Sequence, residues 1–356
     1  MRLRIGLAYN QKPAEDSEPP STGVRTESPP EVLSRPLGDV YAEWDEPATI
    51  DAVQAALSRA GSVIRLEATS DFPQALRAAR PDIVFNIAEG LHGPNREGHV
   101  PAICEFLNIP YTASDPLTLG LALDKQRAKE VFLARGVRTP GFRVGDGEGE
   151  GEGMLPGSGP WIVKPRYEGS SKGISEASYC ETRAAVRQRV AEVRALYAQD
   201  ALIEEFLPGR EFTVAIMGNG RAARALPVVE IRFDALPAGA RPIFGYEAKW
   251  IWDSPVQPLE VYECPARMST ELEAAVLGEA LAAHQALGCR DWSRVDVRLD
   301  ADGAPHVLEV NPLPGILPDP RQNSCFPKAA RAAGISYDEL IVGVLHLALE
   351  RYGISA

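Results

Sequence analysis

Residues 292–315, WSRVDVRLDADGAPHVLEVNPLPG, carry the most informative chemical pattern in this chain. Apolar and polar residues alternate in two short runs, which predicts strands over 294–299 and 306–310. The pair Asp302-Gly303 between them is typical of a tight turn. The stretch therefore predicts a β-hairpin with one polar face.

The polar face of this hairpin collects oxygen ligands. Asp296 on the first strand faces Glu309 on the second, and Asn311 returns to that side because strand side chains alternate. Two carboxylates and a carboxamide oxygen suit Mg²⁺ or Mn²⁺, which prefer hard oxygen ligands and leave positions open for nucleotide phosphates. Arg294 faces the same side, where a guanidinium stabilises negative charge on a phosphoryl or tetrahedral intermediate. Taken alone, the pattern also fits a surface hairpin with solvated acids.

Composition limits the class of protein. A chain of 356 residues, 45% of them hydrophobic, is long enough for two or three globular domains. The net charge of −12 argues against nucleic acid as a partner, because no basic block is present to neutralise phosphates. No apolar run approaches a membrane span, so no membrane partner is expected. The five scattered cysteines lack metal-ligand spacing and favour free thiols in a reducing cytoplasm.

The N-terminal part of the chain predicts a small α/β domain. Residues 3–9 are predicted as a buried strand, and 62–66 and 82–86 as further strands. A helix with Thr49 as its N-cap separates the first two strands. Strand, helix and strand in this order indicate a parallel sheet.

Two segments have compositions that favour loops. Residues 10–47 are rich in Pro, Ser and Glu and cannot bury much apolar area, so a long loop is expected. Residues 145–159 form a Gly/Glu repeat typical of a flexible surface loop without chemistry.

A glycine-rich segment follows a predicted strand within residues 161–175, WIVKPRYEGSSKGIS. The strand presents Lys164, and the Gly-Ser-Ser-x-Gly sequence lets the backbone approach phosphate oxygens. Ser170 and Ser171 add hydroxyl donors. An ordinary Gly-rich hairpin is the alternative for the loop alone, but a lysine at this spacing favours phosphate binding.

These segments and two others occur in the order found in one known family. The other two are 83–114, which begins IVFNIAEGLHG, and 201–216, ALIEEFLPGREFTVAI. Together they resemble the ATP-grasp superfamily and, within it, the D-alanine–D-alanine ligases. The resemblance covers the chain from about residue 83 onward.

The resemblance implies a fold and a domain organisation. The fold class is α/β (α+β), an ATP-grasp fold with an N-terminal parallel-sheet domain and two α+β domains that enclose ATP. The corresponding ranges are 1–114 for the N-terminal domain, 115–203 for the central domain and 204–356 for the C-terminal domain.

The resemblance also implies a nucleotide site. The residues at the family positions are Lys125, Lys164, Ser170, Ser171, Glu204, Leu207, Glu211 and Lys249. The lysines and serines would bind the phosphates. Glu204 would accept the adenine amino group, the Leu207 backbone would pair the ring edge, and Glu211 would hold the ribose hydroxyls. Solvated lysines and an exposed acidic turn are the alternatives for these residues taken singly.

Two sets of residues would contact the substrates. His92 and Glu97 lie where the family presents groups to the first substrate, although this loop is slightly shorter here. Gly315 and Ser324 match the positions that meet the carboxylate of the second substrate.

The implied chemistry is an ATP-dependent ligation in two steps. ATP phosphorylates a carboxylate to an acyl phosphate, and an amine then attacks this intermediate and releases phosphate. The predicted catalytic residues are Arg294, Ser170 and Lys249, and the predicted metal ligands are Asp296, Glu309 and Asn311. Lysines and Mg²⁺ would neutralise the triphosphate, and Arg294 would stabilise the acyl phosphate and the tetrahedral species.

The chain departs from the family where substrates bind. The family loop whose glutamate holds the first substrate's ammonium is replaced by residues 10–47, so Glu43, Asp45 or Glu46 would have to supply this carboxylate. A tyrosine that bonds this glutamate through a serine is replaced by Trp250, whose indole only donates. The segment after Gly315 is longer and brings in Arg321.

Three functions fit these observations. They are a D-alanine–D-alanine ligase with a remodelled first site, a ligase for other amino or hydroxy acids, and a nucleotide-binding protein without ligation. The complete set of lysines, arginine and metal ligands favours a ligase. The expected partners are small amino-acid-like molecules, and the resemblance implies a homodimer.

Overall fold

The computed structural model describes residues 2–13, 40–90, 92–145, 155–252 and 259–355, without the side chain of Trp250. Most of the predicted loop 10–47 and of the Gly/Glu repeat therefore lies outside the described residues. Within these ranges the chain forms three β-sheets with helices packed on them.

Strands and helices are numbered in chain order. The strands are β1 (Leu3–Tyr9), β2 (Gly61–Glu67), β3 (Ile83–Asn86), β4 (Phe142–Gly145), β5 (Trp161–Pro165), β6 (Tyr179–Cys180), β7 (Ala201–Glu205), β8 (Glu211–Met217), β9 (Arg224–Ala225), β10 (Val229–Ile231), β11 (Tyr262–Glu263), β12 (Trp292–Leu299) and β13 (Pro305–Asn311). The α-helices are α1 (Pro47–Leu57), α2 (Phe72–Ala79), α3 (His99–Phe106), α4 (Pro116–Leu123), α5 (Lys125–Ala134), α6 (Arg183–Tyr197), α7 (Thr270–Leu287), α8 (Cys325–Ala332) and α9 (Tyr337–Tyr352).

The N-terminal sheet has the order β2-β1-β3, and both pairs are parallel. The predicted parallel sheet is therefore confirmed. Helix α1 begins at Pro47, with Glu46 in the N-cap position, and not after Thr49 as predicted. Proline favours the first turn of a helix because its fixed φ suits that position and its missing N–H needs no partner there.

The four-stranded sheet has the order β4-β7-β5-β6. Strands β5 and β7 are antiparallel neighbours, with Ile162 opposite Glu204 and Lys164 opposite Leu202. This pairing places Lys164 and Glu204 on adjacent strands. Helix α6 covers the sheet, and its buried face includes Val186.

The six-stranded sheet has the order β11-β10-β8-β12-β13, with β9 paired to β8. The predicted hairpin is confirmed as β12 and β13, each slightly longer than predicted. Asp296 lies directly opposite Glu309, and Arg294 lies opposite Asn311. The register shifts immediately after Asp296, so a β-bulge lies beside these polar residues.

Trp292 joins the hairpin to the rest of the core. Its side chain is fully buried, and its ring packs edge-on against Phe85 at 5.8 Å and Phe326 at 5.7 Å. These contacts connect β3 of the N-terminal sheet with α8 in one continuous hydrophobic core. The polar face of the hairpin is thereby fixed relative to the N-terminal sheet.

Helices α4 and α5 pack on the six-stranded sheet, where Ala122 and Phe132 join a core shared with α7 and β12. The predicted domain limits stay a prediction. Residue 204, where the third domain was predicted to begin, lies inside β7 of the four-stranded sheet.

Within the described ranges, no single helix is long and apolar enough to cross a membrane. One pair, α8 with α9, meets the length and composition criteria only when joined, and the two helices are bent by 100°.

Candidate active site

A cavity of about 460 Å³ is lined by residues from all three sheet regions. The predicted site residues in its lining are Lys164, Ser170, Ser171, Glu204, Leu207, Glu211, Lys249, Arg294, Asp296, Glu309, Asn311, Gly315 and Ser324. The fold therefore brings Lys164 and Ser324, which are 160 positions apart in the sequence, to the same cavity. Apolar residues, including Ile162 and Leu308, line the same cavity.

Arg294 and the predicted metal ligands lie side by side on the hairpin. Arg294 donates from Nε to Asp296 Oδ1 at 3.1 Å and from Nη2 to Oδ2 at 3.0 Å. The Asn311 carboxamide oxygen accepts the Leu313 backbone N–H at 2.9 Å, so the loop after β13 fixes its orientation. These contacts pre-organise both the guanidinium and the oxygen ligands.

The donor set fits a hard divalent cation. Across the described residues no three His, Cys, Asp or Glu side chains cluster as metal ligands, so Asn311 would be the third protein oxygen beside Asp296 and Glu309. Lys125 Nζ lies 2.9 Å from Glu309 Oε2. Although burial acts to raise it, the pKa of Glu309 is held well below its usual range by Lys125, Lys164 and Arg294. Glu309 is therefore ionised, as a metal ligand must be.

Glu204 is clamped between two lysines. Its Oε2 lies 2.6 Å from Lys164 Nζ, and its Oε1 lies 2.6 Å from Lys129 Nζ. Burial opposes ionisation of Glu204, but the two lysines lower its pKa. Burial lowers the pKa of Lys129 to about 8 even with Glu204 beside it.

Lys129 was missed in the sequence. It lies four residues after Lys125 on α5, and this spacing on one helical face was the available indication. Lys129 Nζ also donates to Thr139 Oγ1 at 2.7 Å. Because Glu204 already has two cationic partners, its predicted contact with an adenine amino group would use lone pairs that these lysines leave open.

Glu211 has a partner that the sequence did not indicate. Arg298 donates from Nη1 to Glu211 Oε2 at 2.9 Å and from Nη2 to the Pro242 carbonyl at 2.9 Å. Burial raises the pKa of Glu211, and Arg298 opposes this shift. The guanidinium also stacks on Phe206, with Cζ 4.7 Å from the ring centroid. Arg298 therefore orients Glu211 toward the cavity that both residues line.

Residues 167–173, which we call the Gly-Ser-Ser loop, follow β5. Ser170 and Ser171 have left-handed backbones, with φ of 50° and 59°. Such conformations are uncommon for residues other than glycine, and ligand-binding loops are one of the places where they occur. The Ser171 hydroxyl donates to the Phe244 carbonyl at 3.1 Å, so the loop is attached to the segment that precedes Lys249.

Lys249 lies in a π-helical turn, Glu247–Trp252, and lines the cavity. Burial lowers its pKa to about 8, and Arg294 contributes to this shift. A triphosphate beside the lysine would favour the charged form. The predicted effect of Trp250 stays a prediction, because its side chain lies outside the described atoms.

The far end of the cavity contains the residues predicted for the second substrate. The Ser324 hydroxyl donates to the Gly315 carbonyl at 3.0 Å and accepts from the Leu317 N–H at 3.2 Å. These two hydrogen bonds hold together the two ends of the lengthened segment, residues 315–324. Arg321 lines the same end and pairs with Asp319 at 2.7 Å.

The structure does not bring His92, Glu97 or Lys125 to the cavity lining, although Lys125 pairs with the lining residue Glu309. His92 is exposed, whereas Glu97 is 8% exposed within the short turn Arg96–Gly98. Glu89, which the sequence did not indicate, lines the cavity after β3. Burial raises the pKa of Glu89 well above its usual range, and the nearby Glu97 adds to the effect.

The three candidates for the missing carboxylate differ in their surroundings. Glu43 is bound by Arg96 and Lys172, which lower its pKa to about 2 although burial acts to raise it. The Glu46 side chain is 55% exposed and lies 3.1 Å from Lys12. Burial raises the pKa of Asp45 to about 7.

The chain matches a known protein-family model. Residues 157–346 match the model described as the D-ala D-ala ligase C-terminus, which is more than half of the 356 residues. A D-alanine–D-alanine ligase of Bordetella petrii is 39% identical over 272 residues, covering 76% of this chain and 77% of that protein. An uncharacterised protein of Sinorhizobium fredii is 37% identical over 334 residues, covering 90% of this chain and 94% of that protein.

The fold also matches a solved structure. The D-alanine–D-alanine ligase of Bacillus anthracis complexed with ATP superposes with a TM-score of 0.69, covers 99% of each chain and is 22% identical in sequence. This match concerns the fold, which is the ATP-grasp fold.

The three sheets, the cavity that they share and the matches to known proteins define an ATP-grasp ligase, an enzyme that uses ATP and Mg²⁺. Within that class the chain belongs to the D-alanine–D-alanine ligase family, as the family model and the relative at 39% identity show.

Proposed function

We propose that this enzyme joins the carboxylate of one D-amino acid to the amine of another, with D-alanine as the first substrate to test. The names of the Bordetella and Bacillus relatives support D-alanine. The observation that carries the proposal is that Arg294, Glu309, Lys164 and Glu204 line one cavity, where Lys164 pairs with Glu204 and Glu309 pairs with Lys125.

The residues divide the reaction between them. Lys125, Lys164 and Lys249 would hold the triphosphate, and the Gly-Ser-Ser loop would cover it and exclude water. Mg²⁺ held by the hairpin oxygens would screen the phosphate charge. Arg294 would stabilise the charge that develops when a carboxylate oxygen attacks the γ-phosphorus and again when the amine attacks the acyl carbon.

Asp45 is our candidate for holding the ammonium group of the first substrate. It lines the cavity together with Glu89, whereas Glu43 is already paired and Glu46 is largely exposed. An ammonium group placed between Asp45 and Glu89 would compensate the charge of a buried carboxylate. A first substrate other than alanine is also compatible with this arrangement, because residues 10–47 differ from the family.

The remaining family positions are proposals as well. Ser170 is proposed to position the γ-phosphate, and Leu207 to pair the adenine edge through its backbone. Gly315 and Ser324 would bind the carboxylate of the second substrate. His92 and Glu97 would contact the first substrate only after a movement of their loop, because neither lines the cavity in this structure.

Phosphate release with Mg-ATP and a panel of single and paired D- and L-amino acids tests the proposal, with mass spectrometry of the products. Release with D-alanine alone and formation of the dipeptide would confirm the alanine substrate. Release only with another pair would identify that pair as the substrates. An absence of release with every acceptor would contradict ligation by this chain.

The setting of the reaction is also a proposal. We infer a cytoplasmic enzyme, because ATP is its co-substrate and all five cysteines are free thiols. A homodimer is proposed from the resemblance, and sedimentation velocity would test it.

A further inference from the structure

Four charged side chains from three parts of the chain meet at the Gly-Ser-Ser loop. They are Glu43, Arg96, Glu168 and Lys172, and none is more than 7% exposed. Glu43 precedes α1, Arg96 follows β3, and the other two belong to the loop. Two acids and two bases leave the cluster electrically neutral, which favours ionised groups at such depth.

Glu43 connects the two sides of this cluster. Its Oε1 accepts from Arg96 Nη2 at 2.9 Å and from the Gly169 backbone N–H at 2.8 Å. Its Oε2 lies 2.9 Å from Lys172 Nζ. Arg96 also donates from Nη1 to the Tyr167 carbonyl at 2.9 Å. The loop is thus held through its backbone as well as its side chains.

Glu43 belongs to a segment that is itself held in place by hydrogen bonds. The adjacent Trp44 donates from Nε1 to the Gly90 carbonyl at 2.9 Å. The Asp45 backbone N–H donates to the Asn10 carbonyl at 3.0 Å. This segment and the Gly-Ser-Ser loop together form one wall of the cavity. They therefore cannot move far apart without breaking the contacts of Glu43.

The approach of Glu43 to the loop requires glycine at position 169. A Cβ atom on Gly169 would lie 2.5 Å from Glu43 Oε1, closer than real contacts allow. The carboxylate is held by two cations, so it cannot give way without loss of those contacts. Gly169 directly precedes Ser170, which lines the cavity, so a displacement of Gly169 would move Ser170 as well.

We propose that Glu43 is a positioning residue that holds the Gly-Ser-Ser loop over the phosphates of ATP. It acts through Gly169 and Lys172, and it couples the loop to the segment that carries Asp45. This role rests on the proposed function in one respect, that the loop binds ATP phosphates.

The test is equilibrium binding of a non-hydrolysable ATP analogue with Mg²⁺, measured calorimetrically without amino acid. Glu43→Gln keeps the shape but removes the carboxylate that holds Arg96, Lys172 and the Gly169 N–H, so the loop is held less firmly and we expect roughly tenfold weaker binding. In turnover the KM for ATP rises while kcat at saturating ATP changes little. If Glu43 merely supported the fold, its substitution would lower the unfolding temperature and leave the analogue affinity and the KM for ATP of the folded enzyme unchanged.

Two further variants test the same contacts of Glu43 independently. Gly169→Ala retains all four charges and should weaken binding to a similar degree by displacing the Glu43 carboxylate. Combining Glu43→Gln with Lys172→Met removes the excess positive charge that Glu43→Gln alone leaves in the cluster, so the loss should be smaller than the sum of the single losses. Arg59→Gln is the matched control, because its ion pair with Asp338 has side chains that are 67% and 41% exposed.

The outcomes separate the two proposals. Unchanged analogue affinity in folded Glu43→Gln and Gly169→Ala, or strict additivity in the double variant, would overturn the role of Glu43. Failure of the unmodified chain to bind the analogue would instead overturn the proposed function.

Discussion

Arg294 lies on β12, opposite Asn311 and two residues before Asp296. Its hydrogen bonds to Asp296 and its position 4.0 Å from Glu309 fix the guanidinium before any substrate arrives. Such pre-organised charge stabilises a transition state without reorganisation during the reaction. The residue should therefore contribute mainly to the chemical step.

Arg294→Met should reduce kcat by about 10²- to 10³-fold, with a smaller change in ATP affinity. Steady-state kinetics and calorimetry on the same preparation separate the two effects. Arg232→Gln serves as a control because Arg232 pairs on the surface with Asp234. An unchanged kcat in Arg294→Met would remove Arg294 from the mechanism.

Asp45 should make the enzyme less stable as the pH rises. Burial raises its pKa to about 7 from the unfolded value of 3.8, so between these values the folded state binds the extra proton. Stability therefore falls as pH rises through this window, and the loss is complete above about pH 7. The groups that act on Asp45 are Lys12, which opposes the shift, and Glu46, which adds to it.

Asp45→Asn should remove this pH dependence and stabilise the free enzyme at pH 8 by on the order of 2 kcal/mol. Urea unfolding of both proteins at several pH values between 4 and 8 measures it. The same variant should raise the KM for the first amino acid if Asp45 holds its ammonium group. Equal stability of the two proteins at pH 8 would show that Asp45 is not destabilising in the fold.

At the scale of elements, one face of the β12–β13 hairpin has two parts with separate roles, because Trp292 and Asp296 alternate onto the same side of β12. Asp296 and Glu309 point to the cavity, whereas Trp292 packs between Phe85 and Phe326 in the core. The aromatic contact fixes the hairpin, and Asp296 and Glu309 are the residues proposed to bind the metal. Stability and ligand binding should therefore respond to different substitutions.

Trp292→Ala should lower the free energy of unfolding by about 3–5 kcal/mol, because a large buried ring is replaced by a cavity. The affinity of the folded protein for an ATP analogue should change little. Chemical denaturation and calorimetry measure the two effects, with Leu133→Ala as a control because Leu133 is 60% exposed. A stability loss no larger than that of the control would contradict the structural role of Trp292.

Local patterns predicted the elements better than the site. Alternating residues predicted the hairpin. The sequence Ser336-x-x-Glu339 likewise predicts a capping box, and the structure confirms it at the start of α9. Most of the site residues predicted from family positions line the cavity, whereas Lys125, His92 and Glu97 do not. Arg96 and Arg298 were missed because their partners lie far away in sequence, and no local pattern indicates such pairs. Lys129 was missed although it lies four residues after Lys125 on the same helix.

At the scale of the whole molecule, the cavity depends on all three sheets at once. Lys164 and Glu204 come from the four-stranded sheet, Glu309 from the six-stranded sheet, and Asp45 from the N-terminal region. A ligand bound across these parts should stabilise the entire fold, since it binds the native state alone.

Mg-ATP at about one hundred times its Kd should stabilise the native state by roughly 2.7 kcal/mol and raise the unfolding temperature by several degrees. Differential scanning calorimetry with and without Mg-ATP measures this shift. Lys164→Met should lower the baseline temperature, and it should also reduce the shift itself. A full shift in this variant would argue against phosphate binding by Lys164.

The central claim is that a substrate carboxylate is phosphorylated before the amine attacks. Amino acid labelled with ¹⁸O in its carboxylate tests this directly, with mass spectrometry of the released phosphate. Attack of the carboxylate on the γ-phosphorus and later cleavage of the acyl C–O bond should leave one ¹⁸O atom in each phosphate. Release of unlabelled phosphate together with amide product would contradict the acyl-phosphate route and the role assigned to Arg294.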